Sequence, residues 1–469
     1  MRFGTAQRTG PSFSGTSRKT FSMHSLRLRP LILTLALGAA FAAPAKAQSL
    51  LELVEAARGY DSAWQSAQAQ LEAAARRADQ ARAGLLPSAG LTAGISRAST
   101  DVSRPSINYN GTTQSMAISA SQPLYRPANR IGYEQGQRGI DVAQAQLDAA
   151  AQDLLVRVSQ AYFDVLAAQD TLTFVQAQKA AVSEQLAAAK RNFEVGTTTV
   201  TDSREAQARF DLVGAQEIAA DNDLRVKKLA LDQLVGSPGA QPRPLALPVQ
   251  LPSVAPDNVA AWVQTAQDQQ PGVRQAALAL DVARLETRKA ETGHRPTIDL
   301  QASYAIQHNP NGTVTAPHLN TRTNNATVGV ALNLPLFAGF AVQNRVKETL
   351  ALEQKAEADL ETARRNVAQA TRSAFFGVQS GIGQVKALEA AEQSSQSALD
   401  ANKLGYQVGV RINIDVLNAQ SQLYQTKRDL AQARYNVLLG TLKLRQAAGT
   451  LGLEDVQRIN SLLAPAKQP

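Results

Sequence analysis

The stretch IDVAQAQLDAAAQDLLVRVSQAYFDVLAAQDTLTFVQAQKAAVSEQLAAAKRNFEVG, Ile140 to Gly196, contains no proline and no glycine before its last residue. Steps of four and three residues, taken alternately, visit Leu147, Ala151, Leu154, Val158, Ala161 and Val165. They continue to Phe193 with only Lys179 out of pattern. A seam recurring every 3.5 residues is the signature of a helix packed in a coiled coil. At about 1.5 Å per residue, such a helix runs roughly 80 Å, several times the width of a small domain. The frequent alanines let partner helices approach closely.

Outward from that stretch, the chain repeats itself. Residue n set beside n + 213 matches Ala161, Tyr162 and Phe163 to Ala374, Phe375 and Phe376. The same offset matches Phe193-Glu-Val-Gly196 to Tyr406-Gln-Val-Gly409, Asp202 to Asp415, and Gly236 to Gly449. At a slightly different offset, GLLPSAGLTAG (84–94) matches GHRPTIDLQAS (293–303), and SQPLY (121–125) matches NLPLF (333–337). Two copies of one unit are expected, at 48–236 and 257–460, with a short tail at 461–469. Between the copies lies a linker, 237–256, whose prolines exclude regular helix or central strand.

Each copy also contains segments with a period of two. Leu91, Ala93 and Ile95 alternate with Thr92, Gly94 and Ser96, and Met116 and Ile118 alternate with small polar residues. Ile298, Leu300, Ala302, Tyr304 and Ile306, then Val328, Val330, Leu332 and Leu334, repeat the pattern. These are strands with one apolar and one polar face, in hairpins at about 88–123 and 297–336. About ten residues per strand are expected, with polar loops near 97–113 and 307–325. The helical hairpins turn near Gly196 and Gly409, where a glycine supplies backbone freedom.

The N-terminus reads as an export signal. Arg27 and Arg29 precede LILTLALGAAFAA, and Ala45-Lys46-Ala47 has the small-residue pattern of a cleavage site, so 1–47 is a presequence and 422 residues remain. Met23 stands just before this signal and is an alternative start. The presequence holds seven Lys or Arg and no acid, so its removal lowers the formal net charge from +9 to +2. The basic balance therefore gives no reason to expect nucleic acid as a partner. The absence of cysteine excludes disulfides and a lipid-acceptor thiol.

Four strands of bilayer length, with one face suited to lipid and one to water, pose an edge problem. About eight strands are the fewest that normally close a barrel, and an open edge is not tolerated in hydrocarbon. Oligomerisation solves it. Three chains would supply twelve strands, with the helices continuing the wall outside the membrane.

The order of helix, strand hairpin, long helix and Val-Gly turn is carried by NLPLFAGFAVQNR, RNFEVGTTTVTD and YQVGVRINIDVLNAQSQLYQTKRDLAQARYN. From about Ser49 to about Asn460 this resembles the TolC-type trimeric outer-membrane channel-tunnel family, the outer membrane efflux proteins. The resemblance implies an α+β membrane protein of Gram-negative bacteria. It would form a homotrimeric 12-stranded barrel in outer-membrane lipid, four strands per chain, continued by a long periplasmic α-helical coiled-coil barrel. It further implies an exit duct for type I protein secretion or multidrug efflux, docked to a periplasmic adaptor and an inner-membrane pump of ABC or RND type, with no cofactor.

Residue by residue, the resemblance assigns a periplasmic gate to Tyr406 and Arg411, with Thr201 and Asp202 as their partners. It assigns an acidic ring at the entrance to Asp415, and adaptor contacts to the tips at Gly196 and Gly409. Asn418 stands where the family has a second acid, so a weaker cation site is expected at Asp415 with Asn418. A plainer reading of the same residues makes Asp202 and Asp415 first-turn helix acids, Tyr406 a seam residue and Arg411 a solvated turn charge. Enzymatic chemistry has little support. His24, His294, His308 and His318 fall in no metal-binding or catalytic pattern. A periplasmic adaptor or a structural coiled-coil protein is the alternative, although an adaptor carries one hairpin between compact β domains.

Overall fold

The computed structural model describes residues 47–104, 106–246 and 248–465. The expected export signal lies outside them. The chain begins with α1 (Leu50–Tyr60) and α2 (Ser62–Ala83), followed by β1 (Ser88–Ser103) and β2 (Ser106–Tyr125). The long hairpin α3 (Pro127–Glu194) and α4 (Val200–Val235) completes the first copy. After an irregular linker, the second copy opens with α5 (Val259–Gln269) and α6 (Pro271–Glu291). Then come β3 (Thr297–Asn309), a small ribbon of β4 (Gly312–Thr313) and β5 (Ala316–Pro317), and β6 (Thr321–Asn333). The hairpin α7 (Ala341–Gln407) and α8 (Asn413–Ala447) and the short α9 (Leu453–Asn460) end the fold.

The helix read from Ile140 is longer than its seam. Pro127 sits at the first position of α3, where its missing N–H costs nothing, and the helix runs 68 residues, about 100 Å. Small residues set its spacing: a Cβ on Gly136 would lie 3.0 Å from the Cα of Ala78 on α2. Helices α2, α3, α6 and α7 pack side by side near the sheet, and α4, α3, α8 and α7 do so further away, so α3 and α7 run through both layers. The main core lies where the layers meet. Leu50, Leu53 and Val54 of α1 join Tyr162 and Phe163 of α3, Leu231 of α4, and Tyr435 and Leu438 of α8. Tyr162 donates to the carbonyl of Arg243 at 2.9 Å, which ties the proline-rich linker to this core.

Asp61 organises the start of the fold. Its carboxylate caps α2 by accepting from the Trp64 amide at 2.8 Å, and it takes two bonds from the Arg157 guanidinium at 2.8 and 3.1 Å. Bonding to Arg157 holds the Asp61 carboxyl below its usual range. A depressed folded pKa means stabilisation that is present above the unfolded value, near ~3.9, and lost as pH falls through the folded one. Asp61→Ala should cost on the order of 2 kcal/mol, through a lost cap and the loss of both Arg157–Asp61 bonds, Arg157 keeping only its bond to Asp153. Asp61→Asn should keep the cap and flatten the acid limb, as read by thermal unfolding of the detergent-solubilised protein between pH 3 and 7.

All four long strands form one antiparallel sheet in the order β1-β2-β3-β6. They exceed the expected ten residues: β1 has 16, β2 has 20, and β3 and β6 have 13 each. The segment 97–113, expected as a loop, is mostly strand. Once Leu91 paired with Ile118 sets the register, the backbone ladder continues through Ser, Thr and Asn regardless of side chain. The register aligns the apolar residues across all strands. Leu91, Ile118, Tyr304 and Ala326 form one row, and Ala89, Ala120, Ala302 and Val328 the next. The opposite face carries rows such as Gly90, Ser119, Ser303 and Thr327. Ile95 and Val328 are each 77% exposed on the apolar face, which nothing among the described residues covers. Arg126, at the end of β2, donates two bonds of 2.7 Å to Asp299 of β3 and clamps the two copies where sheet meets helix.

Candidate functional site

The far ends of the helical hairpins are built alike. The Gly196 amide donates to the carbonyl of Phe193 at 2.9 Å, and that of Thr197 to Asn192 at 2.8 Å. In the second copy Gly409 donates to Tyr406 at 3.1 Å, and Val410 to Gly405 at 2.9 Å. Both glycines are left-handed, with φ of 76° and 77°, so each helix ends in a turn that a side chain would strain. Val195, Leu404, Val408, Val410 and Ile412 lie exposed around these turns.

The two helix starts differ. Thr199 and Asp202 close a capping box at α4: the Thr199 hydroxyl accepts from the Asp202 amide at 3.3 Å, while Oδ2 of Asp202 accepts from Thr199 N at 3.1 Å and from the Thr199 hydroxyl at 2.9 Å. Thr201 is exposed beside it. The start of α8 has no side-chain cap. Arg411 is 59% exposed and folds back along the helix end, its Nη1 3.7 Å from Oδ2 of Asp415, and a Cβ on Gly405 would lie 2.7 Å from its Cγ. Gly405 is therefore the residue that makes room for the arginine stem.

Among the described residues, the pairing expected of Tyr406 and Arg411 with Thr201 and Asp202 is not made within one chain. Oδ2 of Asp202 serves the cap, Arg411 turns to the acid one helical turn away, and the Tyr406 hydroxyl accepts from Asn192 at 3.4 Å. The Asn418 carbonyl is also engaged, since Oδ1 accepts from Arg209 Nη2 at 2.8 Å. No group of three His, Cys, Asp or Glu able to hold a metal ion occurs among the described residues, so any ring at Asp415 needs other chains.

Residues absent from the sequence reading connect the hairpins. Asn413 is fully buried and takes a hydrogen bond from Gln185 Nε2. It also donates to the carbonyl of Asp202 at 3.4 Å. Leu417, fully buried, sits among Val182, Leu186, Ala206 and Val213 of the first hairpin. Further along, Arg428 donates to Gln178 at 3.1 Å, and Tyr435 to Asp170 at 2.7 Å. Burial raises the Asp170 carboxyl above its usual range. A polar Asn on the inward face of an amphipathic helix was the available signal.

A sheet with one continuous unpartnered apolar face, continued by two very long helical hairpins, defines a membrane-inserted channel of the outer-membrane efflux class. The profile of that family, outer membrane efflux protein, matches residues 53–237 and 262–450. The outer membrane protein TolC of Vibrio cholerae serotype O1 is 34% identical over 442 residues, covering 94% of this chain and all of that one. The proteases secretion protein PrtF of Dickeya chrysanthemi is 30% identical, covering 92% and 95%. The crystal structure of the outer membrane protein VceC of Vibrio cholerae superposes with a TM-score of 0.74 at 20% identity, over 85% of this chain and 96% of that one. The chain belongs to the outer membrane efflux protein family. Its place is the Gram-negative outer membrane, with a periplasmic part.

Proposed function

We propose that three copies of this chain form an exit duct through the outer membrane, serving type I secretion, multidrug efflux or both. The observation that carries this reading is the four-stranded sheet. Its apolar face spans Ile298 to Ile306 of β3, nine residues or about 26 Å along the strand, close to the ~25 Å apolar band of outer-membrane barrels. Its edges, β1 and β6, are long and unpaired among the described residues, a state that hydrocarbon forbids. Joining β1 of one copy to β6 of the next closes the wall at twelve strands. Leu336, Phe337 and Phe340, exposed just beyond β6, fit an interfacial belt.

Helical edges make the same demand. Leu212, Ile218 and Leu229 of α4 are exposed, as are Leu350, Leu352 and Phe376 of α7, and each set suits the neighbouring copy. At the tips, exposed Val195, Val408 and Val410 around Gly196 and Gly409 suit a periplasmic adaptor, which would link the duct to an inner-membrane pump. Thr201, Asp202, Tyr406 and Arg411 then form the gate, and Asp415 the ring at the entrance. An adaptor reading leaves the interleaved sheet without a role. Mass measurement of the native complex extracted in detergent is expected to give three chains. A stable monomer that keeps its strand content would end the proposal.

A further inference from the structure

On every strand of the sheet, the apolar face ends in a polar group on the side away from the helices. Counted outward, that face reads Leu91, Ala93 and Ile95 on β1, then Arg97; Ile118 and Met116 on β2, then Gln114. On β3 it reads Tyr304 and Ile306, then His308, and on β6 Val328, Ala326 and Asn324, then Arg322. Backbone pairing sets Gln114 beside His308 and His308 beside Arg322. Three strand spacings, about 14 Å, separate the strand of Arg97 from that of Arg322. Arg97, Gln114 and Arg322 are exposed, and Nε2 of His308 bonds Oδ1 of Asn320 at 2.8 Å. The four strands carry two arginines, and both fall on this border. The ion pair of the sheet, Arg126–Asp299, lies at the other end, and neither border arginine forms one among the described residues. Asp101, the nearest acid along β1, lies about 13 Å beyond Arg97 on the same face. A shallow groove of about 650 Å³ adjoins the polar row, its lining combining apolar Ala93, Ile95, Met116 and Ile306 with polar Gln114 and His308. The opposite border of the apolar face has no such groups: Leu334, Leu336 and Phe337 are exposed there.

The geometry points to a binding site, one per chain, for a phosphate-bearing lipid of the outer leaflet, with its acyl chains in the groove and its phosphate groups on Arg97 and Arg322. The inference rests on the duct reading above, in which the apolar face meets lipid. The helices lie at one end of the sheet, so the border with the arginines faces outward. An arginine placed just past the hydrocarbon band stands at headgroup depth, where its carbon stem rests on apolar surface and its guanidinium reaches the polar layer. A guanidinium without a carboxylate partner attracts an anion, and its planar fork takes two phosphate oxygens at once. The Gln114 amide adds a neutral donor between the two charges. A soluble anion would satisfy the arginines and leave the groove empty, and an uncharged lipid would do the reverse. A phosphorylated lipid fits both halves of the site.

The test is native mass measurement of the full protein extracted in detergent and titrated with bisphosphorylated lipid A, with the same lipid stripped of its phosphates, and with inorganic phosphate. One phosphorylated lipid per chain should be retained, and stripping the phosphates should weaken retention on the order of tenfold. Arg97→Gln with Arg322→Gln should cause a similar loss for the phosphorylated lipid and none for the stripped one, because only the phosphate contacts are removed. Arg97→Lys with Arg322→Lys keeps the charge without the fork and should fall between. Equal retention of the two lipids by the unaltered protein would refute the site, and that comparison needs no variant to fold. Displacement of the lipid by an equimolar amount of inorganic phosphate would also refute it, by making the arginines a site for free anions. Glutamine variants that hold the phosphorylated lipid as tightly as the unaltered protein would return Arg97 and Arg322 to the role of solvated border charges. In each of these cases a trimer in the unaltered protein leaves the duct reading standing, whereas a stable monomer refutes the duct reading itself.

Discussion

The paired substitution Tyr406→Phe and Arg411→Ser is expected to raise single-channel conductance severalfold, and Arg411→Ser alone to do so by less. Within one chain these residues are weakly held. The Tyr406 hydroxyl has one bond of 3.4 Å, and Arg411 lies 3.7 Å from Asp415 with most of its side chain in solvent. An exposed pair of that kind contributes only about 0.2–1 kcal/mol. A large effect therefore requires contacts between chains, and the geometry leaves room for them. Asp202 uses only Oδ2 in its cap, and its Oδ1 has no partner among the described residues. An arginine of an adjacent copy reaching that oxygen would make a charge-assisted bond, repeated three times around the axis. Because about 1.4 kcal/mol shifts an equilibrium tenfold, modest losses at three equivalent contacts move the closed population strongly. Unchanged conductance in the pair would return both residues to the role of solvated turn groups.

Most of the fold was legible because its patterns are long. A seam of some fifty residues and a repeat aligned without gaps leave little ambiguity, and the Leu91 and Ile298 alternations set a register that the sheet then kept. The strand ends were not legible, because Ser, Thr and Asn in 97–113 have loop composition yet pair through their backbones. The site was half legible. Turn glycines announce themselves by position, as Gly196 and Gly409 did. Side-chain partners do not: Asn413, Gln185 and Arg209 belong to three helices far apart in sequence, and only packing brings their polar ends together. The expected Arg411–Asp202 contact failed within the chain for a local reason. The Thr199 cap three residues away takes Oδ2 of Asp202, and Arg411 folds back to Asp415, one helical turn away in its own hairpin.

Asp415→Ala should abolish block of the channel by a trivalent cation added from the periplasmic side. In the proposed trimer, one carboxylate per chain converging on the axis would make three like charges that a hard cation relieves. Arg411 at 3.7 Å already competes for that carboxylate, so the native block should be weak and Arg411→Ser should deepen it. The sequence alone suggests that Asn418→Asp adds a second ring and strengthens the block outright. Arg209 changes that expectation. Its guanidinium lies 2.8 Å from the Asn418 oxygen, so a carboxylate placed there pairs with Arg209 before it can serve a cation on the axis. Asn418→Asp alone should therefore shift the block by less than threefold. Combined with Arg209→Gln it should strengthen the block tenfold or more, judged against Arg209→Gln alone so that any widening of the entrance is common to both. A strong gain from Asn418→Asp with Arg209 intact would mean that the guanidinium leaves Asn418 in the assembled channel. Block that survives Asp415→Ala would reduce Asp415 to a first-turn acid that complements the dipole of α8.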